Sequence, residues 1–329
     1  MDGVKTRFVM VPWAVVTFLC LIIEIFQLLG AKEELPSTVP VALGGLMSLL
    51  LAFRLNSSFG RWWEARNLWG ALIVSSRSLM THLLSAARHG GLCRTDGTKQ
   101  DEPPRAEEWQ TDDEQTDCCA AVAAWTLGFG AALKFHLRGR TIPATRDDHT
   151  TEEVLTALHR LLSVRQLREL SESSHPPLYA LRQLRFALEG GLNDMRRPAF
   201  EAKCLDAVES MAGCLTGCER ILRTPCPPGY VGLLRCVCFV WMLMLPFTLV
   251  EVLGWIMIPV VSLTSLLVLA IEQIGVEIEN PFGDDANDLP LHAYCLTVEA
   301  DLMRALAEEA HQYRDFEEEA DAADSQTRV

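Results

Sequence analysis

The chain has 329 residues, of which 49% are hydrophobic, and a formal net charge of −14 at pH 7. A soluble domain rarely combines positive mean hydropathy with such an acidic balance, so the composition indicates membrane spans joined to acidic parts outside the bilayer. Half of the charge, net −7 from ten acidic residues against three arginines, lies from Glu299 onward. The acidic stretches argue against a nucleic acid partner, because a phosphate backbone would be repelled.

The eleven cysteines predict neither a disulfide framework nor a zinc site. No CxxC pair occurs, and no cysteine has the spacing to a histidine that zinc sites use. Cysteines without such spacing act as small buried hydrophobes. His136 and His159 also lack a partner at ligand spacing, and neither lies in a catalytic motif. We therefore predict that the protein is not an enzyme.

In chain order, the first predicted membrane helix covers residues 9–29, which is close to the ~20 apolar residues needed to cross a bilayer core. Lys5 and Arg7 precede it. Glu24 lies inside this helix, and two interpretations stay open. A carboxylate at membrane depth indicates a functional role, whereas one near the end of a span can reach the interface.

The second predicted helix begins apolar and ends among charges and tryptophans. Residues 39–53 carry no charge, and residues 54–70 continue at helical spacing with arginine, glutamate and tryptophan. Gly45, Leu49 and Phe53 are spaced by four and therefore share one face. From spacing alone, this face either lines a narrow apolar constriction in a ring of copies or packs against a neighbouring helix.

Residues 75–230 predict a helical region outside the membrane. Residues 118–137 are apolar enough to resemble a span, but their small side chains favour a buried bundle helix. Residues 231–253 and 255–274 predict the third and fourth membrane helices, joined as a hairpin. Tryptophans in this hairpin are candidate interfacial anchors: Trp241 and Trp255.

An acidic loop follows the fourth span at residues 277–290. Asp288 is predicted to cap a helix that begins at Pro290. Asp284, Asp285 and Asp288 are alternatively ligands for a hard cation such as Ca²⁺. The loop does not have the spacing of an EF-hand, so the residues alone leave capping and metal binding as two interpretations.

Three long motifs resemble the bestrophin family of anion channels. They are LAFRLNSSFGRWWEARNLWG at 51–70, CERILRTPCPPGY at 218–230 and NPFGDDANDLPL at 280–291. They occur in this order around four spans, and the resemblance is closer to bacterial and plant-type members than to animal ones. It extends over nearly the whole chain, except the acidic tail and the loop at 93–117.

The resemblance implies an all-α integral membrane protein with four transmembrane helices and a cytosolic helical bundle, assembled as a homopentamer around one pore. The hydrophobic neck of the family falls on Gly45, Leu49 and Phe53. A second, cytosolic constriction falls on Cys226. These assignments imply a channel for chloride, with bicarbonate as a further candidate anion.

The resemblance also implies roles for two other groups of residues. The family places one segment in subunit packing, namely Arg61, Trp62, Trp63, Glu64 and Arg66. The Ca²⁺ clasp of animal bestrophins falls on the side chains of Asp285 and Asp288 and on backbone carbonyls near Glu277 and Asn280. No cofactor is predicted to be required, and calcium is a candidate ligand.

The predicted organisation has five parts: 1–74 with the first two spans and the neck, 75–230 as the cytosolic helical region, 231–276 with the last two spans, 277–310 as loop and helix, and 311–329 as a disordered acidic tail. The alternative function is a membrane-anchored helical scaffold that recruits basic partners through this tail. The predicted location is multi-pass in the plasma membrane or a chloroplast thylakoid membrane.

Overall fold

The computed structural model describes residues 2–29, 38–90, 118–143, 153–192 and 198–327. Within these ranges it contains ten α-helices, one short 3₁₀ turn and no strand, which confirms the predicted all-α class. The predicted loop at 93–117 lies outside the described residues. The helices are α1 Asp2–Leu28, α2 Thr38–Gly90, α3 Cys118–Leu137, α4 Glu153–Leu161, α5 Val164–Glu172, α6 Pro176–Leu192, α7 Pro198–Arg223, α8 Pro228–Leu253, α9 Met257–Glu277 and α10 Leu291–Thr327.

Four stretches of the described chain are long and apolar enough to cross a membrane: Val9–Leu28, Thr38–Ala86, Cys118–Leu137 and Pro228–Glu277. The third is α3, which is 89% buried inside the protein and is therefore the buried bundle helix that the sequence predicts. The fourth contains both α8 and α9. The four membrane helices are thus α1, the first half of α2, α8 and α9, as predicted.

The chain divides into two compact units, and the division falls inside α2. The first unit comprises Met1–Glu64 and Arg223–Asp288, and the second comprises Ala65–Leu222 and Leu289–Val329. The five predicted segments stay predictions. A buried cluster from all four spans forms the core of the first unit: Val16, Cys20, Met47, Leu51, Leu234, Cys238, Met242, Val250, Met257, Val261 and Val268.

Helices α8 and α9 form a hairpin that turns at Gly254. This residue has φ 51°, a conformation that glycine adopts without a steric penalty. Across the hairpin, Arg235 Nε lies 2.8 Å from Glu272 Oε1. Trp255 is 58% exposed beside the turn. The indole N–H of Trp241 donates to Pro40 O at 2.9 Å, and its role as an interfacial anchor stays a prediction.

The second unit is built around α3. Trp125 on α3 meets Tyr179 on α6 edge to face, with 6.0 Å between ring centroids. A Cβ added at Gly128 would lie 3.6 Å from Leu162, close to the end of α4. The small side chains of α3 therefore let other helices approach it on several sides, which explains how an apolar helix is buried by protein.

The end of the chain differs from the prediction. Helix α10 runs from Leu291 to Thr327, where the sequence predicts a disordered tail from 311. The segment is rich in alanine and glutamate, which favour helix. The acidic charge of this segment predicts disorder, but its helix propensity favours the helix that is observed.

Candidate functional site

The apolar face of α2 is uncovered in the protomer. Pro40 stands in the first turn of α2, where a missing N–H costs nothing. Leu49 is 53% exposed and Phe53 is 58% exposed, whereas Met47 and Leu51 on other faces of the helix are buried. The predicted neck residues therefore share a face that the described part of this unit leaves open.

Gly44 and Gly45 are adjacent but differ in their surroundings. A Cβ added at Gly44 would lie 2.9 Å from Trp241 Nε1, whereas one at Gly45 would meet no described atom within 4 Å. Gly44 thus permits the close packing of α2 against α8. Gly45 lies on the open face with Leu49 and Phe53.

The open face continues one turn further to Ser57. Its hydroxyl lies 3.8 Å from the thiol sulfur of Cys226, the residue predicted to form the second constriction. Cys226 is half-buried and precedes α8. The structure therefore places the two predicted constrictions along one side of α2.

A single carboxylate, that of Glu279, joins α2 to the segment before α8. Arg54 Nη2 lies 2.7 Å from Glu279 Oε2. The backbone N–H of Cys226 donates to Glu279 Oε1 at 2.7 Å. Arg61 Nε donates to the backbone carbonyl of Glu279 at 3.0 Å, and its Nη1 donates to Thr224 O. Both arginines therefore converge on Glu279, two residues after the end of α9.

This cluster is strongly polar and poorly exposed. The side chain of Arg54 is 2% exposed and that of Glu279 is 16% exposed. Burial raises the pKa of Glu279, but the N–H of Cys226 and the guanidinium of Arg54 outweigh it and hold the pKa below its ordinary value. Arg54 Nε and Nη1 have no hydrogen-bond partner among the described residues. The cluster thus keeps an ionised carboxylate beside a buried cation.

The predicted subunit-packing residues divide into two groups. Trp62 Nε1 donates to Asn287 O at 3.0 Å, so Trp62, like Arg61, makes its hydrogen bonds inside the chain. Trp63 is 54% exposed and stacks on Phe59, with 6.4 Å between ring centroids. Trp63 and Phe59 thus form an exposed aromatic pair.

The last two residues of the predicted set are half-buried. In the second unit, the guanidinium of Arg66 lies over the Tyr294 ring at 5.1 Å from its centroid. Glu64 is the last residue of α2 that belongs to the first unit. A role in subunit packing stays a prediction for all five residues.

In the predicted calcium loop, the side chains of Asp288 and Glu277 each accept a hydrogen bond from an N–H donor. Asp288 Oδ2 accepts from the Asp285 backbone N–H at 2.6 Å, and the N–H of Asp288 donates to Asp285 O at 3.1 Å. Glu277 accepts from the amide of Asn287 at 2.9 Å. Asp288 therefore closes the loop on Asp285, and α10 begins at Leu291, one residue later than predicted.

Calcium takes six to eight oxygen ligands that share one centre. Within the described residues, Glu277, Asp285 and Asp288 do not form a set of three whose ligand atoms lie within 4.8 Å of one another. Asn280 is exposed. The predicted clasp combines the side chains of Asp285 and Asp288 with backbone carbonyls near Glu277 and Asn280, so a calcium site in this loop stays a prediction.

Glu24 lies in the first span and is 4% exposed. Its Oε2 has no hydrogen-bond partner in the part of the chain that the structure describes. The carboxylate is thus buried among the helices of the first unit, and both interpretations of its role stay open.

Two groups of residues were not identified from the sequence. The first is Glu279, for which the only signal was a carboxylate immediately after an apolar span. The second is His136, His175 and Glu219, whose ligand atoms all lie within 4.8 Å of one another. These three come from separate parts of the chain, so spacing along the sequence could not identify them.

The comparisons with known proteins agree with this architecture. The family model described as "Bacterial/Fungal Bestrophin protein" matches residues 3–304. The chain belongs to the bestrophin family. It is an integral membrane protein by this family and by its apolar helices.

Individual relatives are similar over most of their length. A voltage-dependent anion channel-forming protein of Synechocystis is 31% identical over 275 residues, which cover 83% of this chain and 78% of that protein. One of Nostoc is 30% identical over 297 residues, covering 86% and 83%. A crystal structure of a bacterial bestrophin homolog from Klebsiella pneumoniae has TM-score 0.71 and 25% identity, covering 89% of this chain and 97% of that one.

Proposed function

We propose that this chain is the subunit of an anion channel that conducts chloride, with bicarbonate as a further substrate. Membership of the family and the names of the relatives support a channel and not an enzyme. The observation that carries the proposal is the open apolar face of α2 with Gly45, Leu49 and Phe53. A face of this kind needs either lipid, another copy or a pore beside it.

The proposed assembly is a homopentamer in which five copies of this face surround one axis. A narrow apolar neck gates by dewetting, and weakly hydrated anions cross it more easily than chloride. The N-terminus of α2 supplies partial positive charge and free N–H groups without a ring of cations. Gly45 makes the entrance of the neck wider than Leu49 or Phe53 would.

The second proposed constriction is Cys226. Its contact with Ser57 supports a position on the same pathway as the neck. The aromatic pair of Phe59 and Trp63 is the surface that we assign to the neighbouring subunit, since both side chains are about half exposed in the protomer. Arg61 and Trp62 support that surface from within the chain.

The membrane is proposed to be the plasma membrane or a thylakoid membrane. Fractionation of the source cells with an antibody to the chain distinguishes these two locations.

The test is anion flux from liposomes that contain the purified protein. Wild-type protein is expected to release chloride, and Phe53→Ala is expected to change the order of permeability among chloride, iodide and thiocyanate. The matched control is Phe18→Ala, because Phe18 on α1 is 63% exposed and lies outside the proposed neck. No flux from the wild type would refute the channel and leave the scaffold as the alternative. An unchanged order in Phe53→Ala would remove Phe53 from the pore.

A further inference from the structure

Two histidines and a glutamate meet on one side of the second unit. His136 Nε2 lies 2.7 Å from Glu219 Oε1, and His175 Nε2 lies 3.0 Å from the same oxygen. The two imidazole rings are tilted by 36° with 4.6 Å between their centroids. Three potential ligand atoms thus converge on one small volume.

Each of these side chains comes from a different helix or helix end. His136 lies in the last turn of α3, His175 immediately precedes α6, and Glu219 lies in the last two turns of α7. The convergence therefore depends on the tertiary packing of the second unit and not on any local motif.

We propose that His136, His175 and Glu219 bind one divalent transition-metal ion of the Zn²⁺ class. Two imidazoles and one carboxylate are the donor set of several zinc sites that keep a fourth position open. Imidazole favours zinc, copper, iron and nickel, whereas calcium and magnesium take oxygen ligands. The site is distinct from the acidic residues of the loop, Glu277 to Asp288, which belong to the first unit.

The distances fit an ion-free form of such a site. Tetrahedral zinc with bonds of about 2.0–2.2 Å separates its ligand atoms by roughly 3.3–3.5 Å. The two nitrogen–oxygen distances of 2.7 and 3.0 Å are hydrogen-bond distances and need to open by less than about 1 Å to reach this ligand separation. Small side-chain rotations therefore convert the hydrogen-bonded cluster into a coordination site.

Metal binding to His175 also breaks the weak hydrogen bond that its Nδ1 accepts from Leu178. His175 Nδ1 accepts from the Leu178 N–H at 3.4 Å, and the Nε2 proton then points to Glu219. An ion at Nε2 requires the tautomer whose single ring proton lies on Nδ1, so this proton transfers from Nε2 to Nδ1 through solvent and Nδ1 no longer accepts from Leu178. Leu178 is 52% exposed and stands in the first turn of α6, so water can satisfy its N–H.

The site is accessible from solvent. The side chains of His136, His175 and Glu219 are 21%, 25% and 19% exposed, respectively. An ion can therefore enter without unfolding of the unit, and its fourth position is free for water or a small anion. A bound ion would join the ends of α3 and α7 to the start of α6, and the protein is stabilised by any ligand that binds the folded state alone.

The experiment uses the full-length protein without a polyhistidine tag, purified in detergent and treated with chelator. Equilibrium dialysis against ZnCl₂, followed by elemental analysis, is expected to give one zinc ion per chain. His136→Gln, His175→Gln and Glu219→Gln are each expected to lower the affinity at least tenfold. The control is His311→Gln, an exposed histidine on α10.

Two results overturn the proposal. One is a wild-type chain that retains no stoichiometric zinc, and the other is an affinity that is unchanged in His136→Gln and His175→Gln. A second measurement does not depend on the folding of any variant. Co²⁺ bound to the wild-type chain should show the visible absorption bands of a four-coordinate site. Its X-ray absorption spectrum should show scattering from two imidazole rings. The absence of either signal rejects the site. A wild-type protein that binds zinc but shows no anion flux would refute the proposed channel and leave the metal site intact.

Discussion

Arg54 on α2 and Glu279 after α9 form a nearly buried ion pair, with 2.7 Å between Nη2 and Oε2. The same carboxylate holds the backbone N–H of Cys226. Removal of one partner leaves a buried charge without compensation, which typically costs about 3–5 kcal/mol. Glu279→Ala is therefore expected to lower the midpoint of thermal unfolding in detergent markedly.

The control for this variant is Glu189→Ala. Glu189 pairs with Arg185 on the exposed surface of α6, and such pairs contribute little. The double variant Arg54→Met with Glu279→Leu should recover much of the stability, because it removes both charges. Equal midpoints for Glu279→Ala and Glu189→Ala would contradict the role of the pair.

The same carboxylate predicts a dependence of stability on pH. The pKa of Glu279 is lowered from its ordinary value of 4.5 in the folded protein. A depressed pKa contributes stability that is fully present above that ordinary value and is lost as the pH falls through the folded pKa. The difference in unfolding midpoint between wild type and Glu279→Gln should thus be largest near neutral pH and shrink below pH 4.5. A difference in unfolding midpoint that grows as the pH falls would show that the pKa of Glu279 is raised and not lowered.

Gly45 and Gly44 give a matched test of the neck. Gly45→Leu adds a side chain to open space and is expected to fold normally while lowering anion conductance. Gly44→Leu introduces a Cβ 2.9 Å from Trp241 Nε1 and is expected to disturb the packing of α2 on α8. Single-channel recording and thermal unfolding of both variants separate the two effects. Normal conductance in a folded Gly45→Leu would place this face outside the pore.

Cys226 offers a chemical test of the second constriction. A negatively charged methanethiosulfonate reagent is expected to reduce flux through the wild type, because it adds bulk and negative charge to the proposed pathway. Cys226→Ser should keep the flux and lose most of this sensitivity. Equal inhibition of both proteins would assign the effect to another of the eleven cysteines.

Gly283 is predicted to be intolerant of a side chain. A Cβ there would lie 2.6 Å from Asp288 Oδ2, the atom that accepts from Asp285 N–H. Overpacking of this kind costs about 1–3 kcal/mol, so Gly283→Ala should lower the unfolding midpoint. The control is Gly213→Ala in the interior of α7, where the Cβ meets nothing within 4 Å of the described atoms and alanine favours helix. A Gly283→Ala protein as stable as Gly213→Ala would contradict this account of the loop.

The spans were predictable because apolar runs of membrane length have few alternatives, and α3 was separated from them by its small residues. The open face of α2 was also visible as a spacing of four from Gly45 to Phe53. Spacing gives a face but does not show what lies beside it. The exposed fractions of Leu49 and Phe53 provide that information for the protomer.

Other features depend on tertiary contacts that a linear reading does not contain. His136 and His175 are far apart in sequence, and Glu219 lies further along, on α7. No sequence motif therefore identifies the three residues as a group. The hydrogen bond from the Trp241 indole to Pro40 O likewise joins two helices that are far apart in sequence. Glu279 gains its importance from tertiary contacts with Arg54, Arg61 and Cys226.

The pair of Arg235 and Glu272 has a consequence for the alignment of the hairpin. Helices α8 and α9 present long apolar surfaces to each other, and apolar contacts tolerate a slip of one helical turn with little penalty. The two charges lie 2.8 Å apart in the observed alignment. A slip would separate them by about 5.4 Å along the axis and leave each beside apolar neighbours. This ion pair therefore favours the observed register over a slipped one that apolar contacts alone would tolerate.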